Sequence, residues 1–335
     1  MLDLRNKTPF AAALITSLDQ DGADQLSVLV KATYRLDSAG PLQIAEDQVP
    51  VHMADVSDGE PGESSVRYES DSCPTKPGTD VVLVGKAYPP GGRATSMDVS
   101  LQVAGLRKVV RVFGERVWTR AIGWAMSRPL PFEEMPLSYE RAFGGWDRSH
   151  PDPTQHTFDD HNPVGAGFSS EGRAERLEGL RLPNLEDPAH LIDQWKSRPS
   201  VAGFGFVGRG WLPRRLFAGT YDEAWSQERS PLLPKDFDVR FYCGAPEGLV
   251  ATPHLRGGER VQVQGASRRG VLAFDLPAPE IEMVLSIRRD IRTAKPVLDT
   301  VIVEPDDERV VLSYRATVPC PRLLPHVEAV QVKLR

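Results

Sequence analysis

The chain is short of cysteine, of positive charge and of long apolar runs, and each shortage excludes something. Three cysteines in 335 residues, Cys73, Cys243 and Cys320, are odd in number and far apart, which fits reduced thiols better than a secreted disulfide framework. No CxxC pair points to zinc. Forty Lys plus Arg stand against 46 Asp plus Glu, a net charge of -6, so no overall positive field draws in a phosphate backbone and nucleic acid is not an expected partner. The longest uncharged run, residues 8–18, falls far short of the roughly 20 residues a membrane helix needs and has no small-residue cleavage site. A cytoplasmic protein with no membrane partner is the expectation. Nucleophile signatures are missing too: there is no G-x-S-x-G, no Walker loop, and no cysteine at a helix start or in a basic setting.

Glycine and proline, by contrast, are plentiful. The 28 glycines and 29 prolines make up roughly 17 percent of the chain against about 12 percent in average usage. Together with a hydrophobic share of 40%, this excludes collagen and disorder and disfavours a helical bundle. A chain this long buries about three quarters of its unfolded surface and holds a core without disulfides or metal.

Residues 26–36 alternate, with Leu26, Val28, Val30, Ala32, Tyr34 and Leu36 on one face and Ser27, Lys31, Thr33 and Arg35 on the other. This predicts a half-buried strand. The same period of two returns at Val99, Leu101, Val103, at Val261, Val263, at Ile281, Met283, Leu285, Ile287 and at Val330, Val332, Leu334. Residues 81–84 read as a strand buried on both faces. The acidic cluster 304–308 between two apolar runs predicts a hairpin whose tip stands in solvent.

From residue 129 to 236 the periodicity fades, and Trp146, Trp195, Trp211 and Trp225 fall among frequent glycines and prolines. Tryptophan is costly to leave in water, so this segment is expected to fold back over the sheets as ordered loop. Two short helices are predicted, one opened by Asp187-Pro188 and one by a capping box of Thr220 with Glu223. The fold expectation is therefore mainly β: antiparallel, sandwich- or barrel-like blocks over 1–128 and 237–335 flank a loop-rich segment over 129–236, within one domain.

The glycine pattern 203–208 matches G-x-G-x-x-G, but no apolar strand precedes it and Gly210 and Pro213 interrupt any following helix. It reads as a turn on which aromatic rings pack, not as a dinucleotide site. No cofactor is expected. Residues 147–161 collect Asp147, His150, Asp152, His156, Asp159, Asp160 and His161, which are competent ligands for zinc, nickel or manganese. Pro151 and Pro153 preclude a helix there, so a solvated polar loop is the first reading and a metal-dependent or two-carboxylate hydrolase the alternative. The pairs Arg214-Arg215, Arg268-Arg269 and Arg288-Arg289 read as solvated faces, with gripping of a partner's carboxylates as the alternative.

Several longer motifs occur in order: PLSYERAFGG at 136–145, NPVGAGF at 162–168, LPNLE at 182–186, WLPR at 211–214, AGTYD at 218–222 with Trp225, and LPKDFDVRF at 233–241. KPGTD at 76–80 and GERVW at 114–118 add to them. Together they resemble a bacterial family encoded in type VI secretion clusters beside VgrG spike, PAAR-tip and toxin genes. The resemblance implies a non-catalytic adaptor or chaperone that helps load an effector onto the spike. Its partners would be a protein effector, a PAAR protein or VgrG. The residues expected to meet a partner are Tyr139, Glu140, Arg141, Trp146, Trp211, Arg214, Tyr221 and Trp225. Glu140 with Arg141 reads either as a structural ion pair or as a partner clamp. A carbohydrate or cell-wall binding module is a third reading, and it requires some of Trp146, Trp211 and Trp225 to stand exposed in a row.

Overall fold

A computed structural model of the chain describes residues 2–36, 40–120, 122–170, 177–288, 290–320 and 322–335. Three sheets organise it. The seven-stranded sheet runs in the order Val250–Ala251, Thr79–Leu83, Val297–Glu304, Arg309–Pro319, Asp24–Arg35 and Ala11–Leu18, with Gln43–Ile44 also paired to Asp24–Arg35. A five-stranded sheet runs Leu185–Glu186, Leu106–Phe113, Ser96–Val103, Arg260–Gln264 and Leu272–Asp275, and a four-stranded sheet runs Asp3–Lys7, Val327–Leu334, Ile281–Ile287 and Asp290–Ala294. Each sheet has two open ends, so none closes into a barrel.

The mainly-β expectation holds, with one part corrected. Each of these sheets contains strands from both residues 1–128 and residues 237–335, so the two blocks form one body. The ladders are not purely antiparallel: Thr79–Leu83 pairs parallel with Val297–Glu304, and Asp3–Lys7 parallel with Val327–Leu334. Thr79–Leu83 is buried along its whole length, as expected of a strand with both faces covered. One apolar core, from Phe10 to Val332, draws on all three sheets. A smaller cluster gathers Trp118, Phe143, Leu177, Leu182 and Ile192, with Trp124 and Trp195 packed against it.

The strand Asp24–Arg35 is not half-buried. Both its faces are covered, and Ser27, Lys31 and Thr33 are buried with the apolar residues. The cover on the polar face is the segment 45–76. Gln48 accepts from the Thr33 amide at 2.8 Å, the Val49 amide donates to the Thr33 hydroxyl at 2.9 Å, and Asp71 pairs with Lys31 at 2.8 Å. Alternation reports which residues are polar; it is silent on polar residues that another segment satisfies.

The hairpin between Val297–Glu304 and Arg309–Pro319 forms as expected. Its tip is only partly in solvent, because Glu304 is buried and accepts from Tyr68 and Arg309. Of the two predicted helices, one exists as Glu223–Glu228, capped by Asp222 and not by Thr220, whose amide and hydroxyl bond Asp236 instead. The other does not form. After Asp187 the chain makes a turn, and the buried Glu186 carboxylate captures the Ile192 amide at 2.7 Å, which holds the backbone out of helical geometry. All three cysteines are free thiols. Among the described residues no helix is long and apolar enough to cross a membrane.

Leu29 lies fully buried in the central sheet, whereas Leu18 is exposed at its edge. Leu29→Ala is expected to cost about 2–5 kcal/mol and Leu18→Ala less than about 0.5 kcal/mol in equilibrium denaturation.

Candidate functional site

The motif at 136–145 begins with a turn of 3-10 helix, Tyr139–Arg141. Tyr139 is 3% exposed, and its hydroxyl donates to the Gly205 carbonyl at 3.0 Å. Its ring lies on Gly203, where a Cβ would stand 2.5 Å from a ring carbon. Gly208 plays the same part beneath the Trp211 indole. The G-x-G-x-x-G pattern is thus a platform for aromatic rings, as read from its context.

Glu140 and Arg141 do not pair with each other. Glu140 accepts from the Ser65 amide and hydroxyl, both at 2.6 Å. Burial pushes its carboxyl up, but these bonds outweigh burial and hold it below its ordinary value. Arg141 bonds Glu115 at 2.5 Å and Asn184 at 3.2 Å. Asn162, fully buried, donates to the Tyr139 and Phe143 carbonyls at 2.8 and 3.0 Å. Phe143–Gly144 then pairs with Ala166–Gly167. Three of the motifs, at 136–145, 162–168 and 182–186, therefore bind one another.

A second set of side chains is legible only in three dimensions. Four buried cations, Lys31, Lys76, Arg214 and Arg315, face four buried carboxylates, Glu69, Asp71, Asp80 and Asp299. Lys76 bonds Asp80 at 2.6 Å and Thr300 at 3.1 Å, and lies 3.6 Å from Glu69. Arg214 bonds Glu69 together with the Val207 and Phe241 carbonyls at 2.7 and 2.8 Å. Arg315 bonds Asp299 and the Cys73 carbonyl, each at 2.5 Å. Arg209, at the rim, reaches Glu69 at 3.2 Å. Burial alone would lower the Lys76 pKa, yet Asp80 and Glu69 hold it above its ordinary value. Burial likewise pushes Glu69 up, and Lys76, Arg214 and Arg209 more than reverse that. The sequence signal for this cluster was KPGTD at 76–80, whose Lys and Asp close on each other.

The eight residues expected to meet a partner separate into three groups. Tyr139 and Arg214, the latter 5% exposed, are buried on internal partners and are corrected from partner-binding to structural. Arg214 is also no solvated face, whereas Arg268 and Arg269 sit at the surface beside Glu134 and Glu308; Arg289 lies outside the described residues. Glu140, Arg141, Trp211 and Trp225 are half-buried. Trp211 meets Tyr139 edge-on at 5.4 Å, and the Trp225 indole donates to the Leu232 carbonyl at 2.8 Å. Trp146 is 45% exposed and Tyr221 53% exposed. The exposed tryptophan row that the carbohydrate reading requires is not formed.

Trp146 packs against Phe158, tilted by 35° at 4.5 Å between centroids, on the two arms of a small hairpin, with the Arg148 guanidinium 5.2 Å from its ring. The Phe158 arm is tied to the turn Arg214–Ala218 by Arg215 bonding Asp160 at 3.0 Å and the Leu212 amide bonding the Asp160 carbonyl. That turn presents Leu216 to solvent. The polar groups of 147–161 are engaged locally. Asp147 accepts from Ser149 and Ser170, Asp152 caps the turn Pro153–Gln155, His150 accepts from the Asp152 amide, His156 bonds the His150 carbonyl, and Asp159 accepts from the His161 amide. Among the described residues no three His, Cys, Asp or Glu side chains converge as a metal-holding group.

Fold and site define a mainly-β protein whose long motifs are internal staples beneath an exposed aromatic hairpin. The chain belongs to a bacterial family, DUF2169, described as an uncharacterized protein conserved in bacteria, which matches residues 21–315. No curated protein and no solved structure matches it.

Two outcomes test the staples. Arg315→Met leaves Asp299 buried and uncompensated and is expected to cost about 3–5 kcal/mol, while the double change with Asp299→Leu costs much less, both read by chemical denaturation. Because Glu140 titrates below its ordinary value when folded, its contribution is complete above about pH 4.3 and disappears as pH falls through the lower folded value. Stability of Glu140→Gln should accordingly fall less steeply in acid than that of the parent.

Proposed function

We propose that the protein is a non-catalytic adaptor or chaperone that binds a type VI secretion effector, or the PAAR or VgrG protein carrying it, in the bacterial cytoplasm. The run of motifs resembling that family supports the reading. The structural observation that carries it is the Trp146–Phe158 pair with Arg148 above it. Tryptophan and arginine dominate binding energy at protein interfaces, and a large aromatic pair held in water on a braced hairpin needs a partner to remove it from solvent. The braces are the Asp160–Arg215 pair below and the Asp147 carboxylate behind. The hairpin is therefore ready-shaped for docking, which lowers the ordering cost of binding.

Co-expression of the tagged chain with the spike, PAAR and toxin proteins encoded beside its gene, followed by affinity capture, is the test. One of them should co-elute stoichiometrically. Trp146→Ala with Phe158→Ala should leave the circular dichroism spectrum unchanged and weaken capture by about 2 kcal/mol or more, roughly thirtyfold. Elution of the chain alone in every combination would sink the reading.

A further inference from the structure

Among the described residues, sheet edges are short or charged, with one exception. Asp3–Lys7 carries Asp3, Arg5 and Lys7, and Asp290–Ala294 carries Asp290 and Arg292. Leu272–Asp275 has four residues and ends in Asp275, while Leu185–Glu186 and Val250–Ala251 have two residues each. Short strands and charged side chains are the devices that keep an edge from pairing. Ala11–Leu18 has neither. It is eight residues long, AAALITSL, without charge or proline, and it closes one end of the seven-stranded sheet, paired among the described residues with Asp24–Arg35 alone. In an antiparallel edge, alternate backbone N–H and C=O groups point away from the sheet. Thr16 and Leu18 are exposed along it.

We propose that this edge is a dimerisation strand: a second copy of the chain pairs with Ala11–Leu18 antiparallel about a twofold axis through the middle of the strand, joining two seven-stranded sheets into one. Charge selects this occupant. Beyond one end of the strand lies Lys7, and beyond the other lie Asp19, which accepts from the Asp21 and Ala23 amides, and Asp21; Lys7 and Asp21 are exposed. Arg5 is already paired with Asp3, whereas neither Lys7 nor Asp21 has an ion-pair partner among the described residues. Antiparallel pairing centred between Leu14 and Ile15 brings Lys7 of each copy toward Asp21 of the other, twice per dimer. Parallel pairing would bring Lys7 toward Lys7. Along Ala11–Leu18 the strands oppose only uncharged residues, and Asp19 just beyond falls opposite Phe10 of the other copy, so no like-charge contact resists the register. The interface is isologous and closes at two copies.

This inference does not rest on the adaptor reading, since it concerns the purified chain alone. Sedimentation equilibrium of the full chain across a wide micromolar range should show a species of twice the 37.0 kDa chain mass. Thr16→Lys with Leu18→Lys, at two exposed positions, should keep the parent's circular dichroism spectrum and sediment as a monomer. Asp21→Lys should weaken dimerisation about tenfold by inverting both end contacts, and adding Lys7→Asp should restore it. A monomer at every concentration overturns the proposal. Persistence of the dimer in the Thr16→Lys, Leu18→Lys variant also overturns it, by placing the interface elsewhere. A monomeric parent that loses capture of a protein partner through the same two changes would show that the strand takes a different occupant, and the second-copy proposal falls.

Discussion

Four cations and four carboxylates removed from water must neutralise one another, because an uncompensated ion costs several kcal/mol in an apolar interior. Here the balance is met by residues far apart in the chain: Lys31 from an N-terminal strand, Glu69, Asp71 and Lys76 from the segment covering it, Asp80 from the strand Thr79–Leu83, Arg214 from the loop region, and Asp299 and Arg315 from the C-terminal hairpin. Asp71 acts on Arg315 as well as on Lys31, and Asp299 acts on Lys76, so the pairs are electrostatically one cluster. Four strands of the central sheet, Asp24–Arg35, Thr79–Leu83, Val297–Glu304 and Arg309–Pro319, are tied together by it. Apolar packing tolerates sliding and substitution, whereas a buried carboxylate that loses its partner does not. The cluster therefore supplies register where hydrophobic burial supplies stability.

The same logic explains the long motifs. Tyr139, Glu140 and Arg141 each leave a three-residue turn toward a different segment, reaching Gly205, Ser65 and Glu115. Arg214 adds Glu69 and two carbonyls. An irregular chain has no ladder to satisfy its backbone groups, so side chains such as Asn162 must supply the missing donors. Residue types at such positions are fixed by geometry, which is why segments without periodicity nevertheless carry the most distinctive sequence.

Period-two alternation made the strands around Val30, Leu101, Met283 and Val332 legible, and the turn chemistry of 304–308 marked the hairpin. The aromatic platform at Gly203 and Gly208 was legible from the helix-breaking residues around it. Burial of Lys31 and Arg214 was not, because a charged residue reads as solvated unless its counter-ion is known, and Asp71 and Glu69 lie 40 and 145 residues away. The interleaving of the two chain ends was hidden for the same reason: alternation defines a strand's faces and says nothing of its neighbour. In the candidate site, Trp146 stood out as a residue type suited to recognition, but its opposing ring, Phe158, required the hairpin register to be known.

Placing charge inside leaves a particular kind of surface. Arg214 and Tyr139, residue types that dominate interfaces elsewhere, are withdrawn into the staples. In the proposed reading, recognition is left to Trp146 and Phe158 on their braced hairpin and to the uncharged edge Ala11–Leu18. The two differ physically. An aromatic pair recognises shape and apolar area, so it can select among unlike proteins, whereas a strand edge recognises backbone and is indifferent to most side chains. Selectivity at the edge must then come from what flanks it, and in this chain the flanks are Lys7 and Asp21, opposite in sign at opposite ends. A self-complementary flank favours a self-complementary partner, which leaves the aromatic hairpin free for a different one.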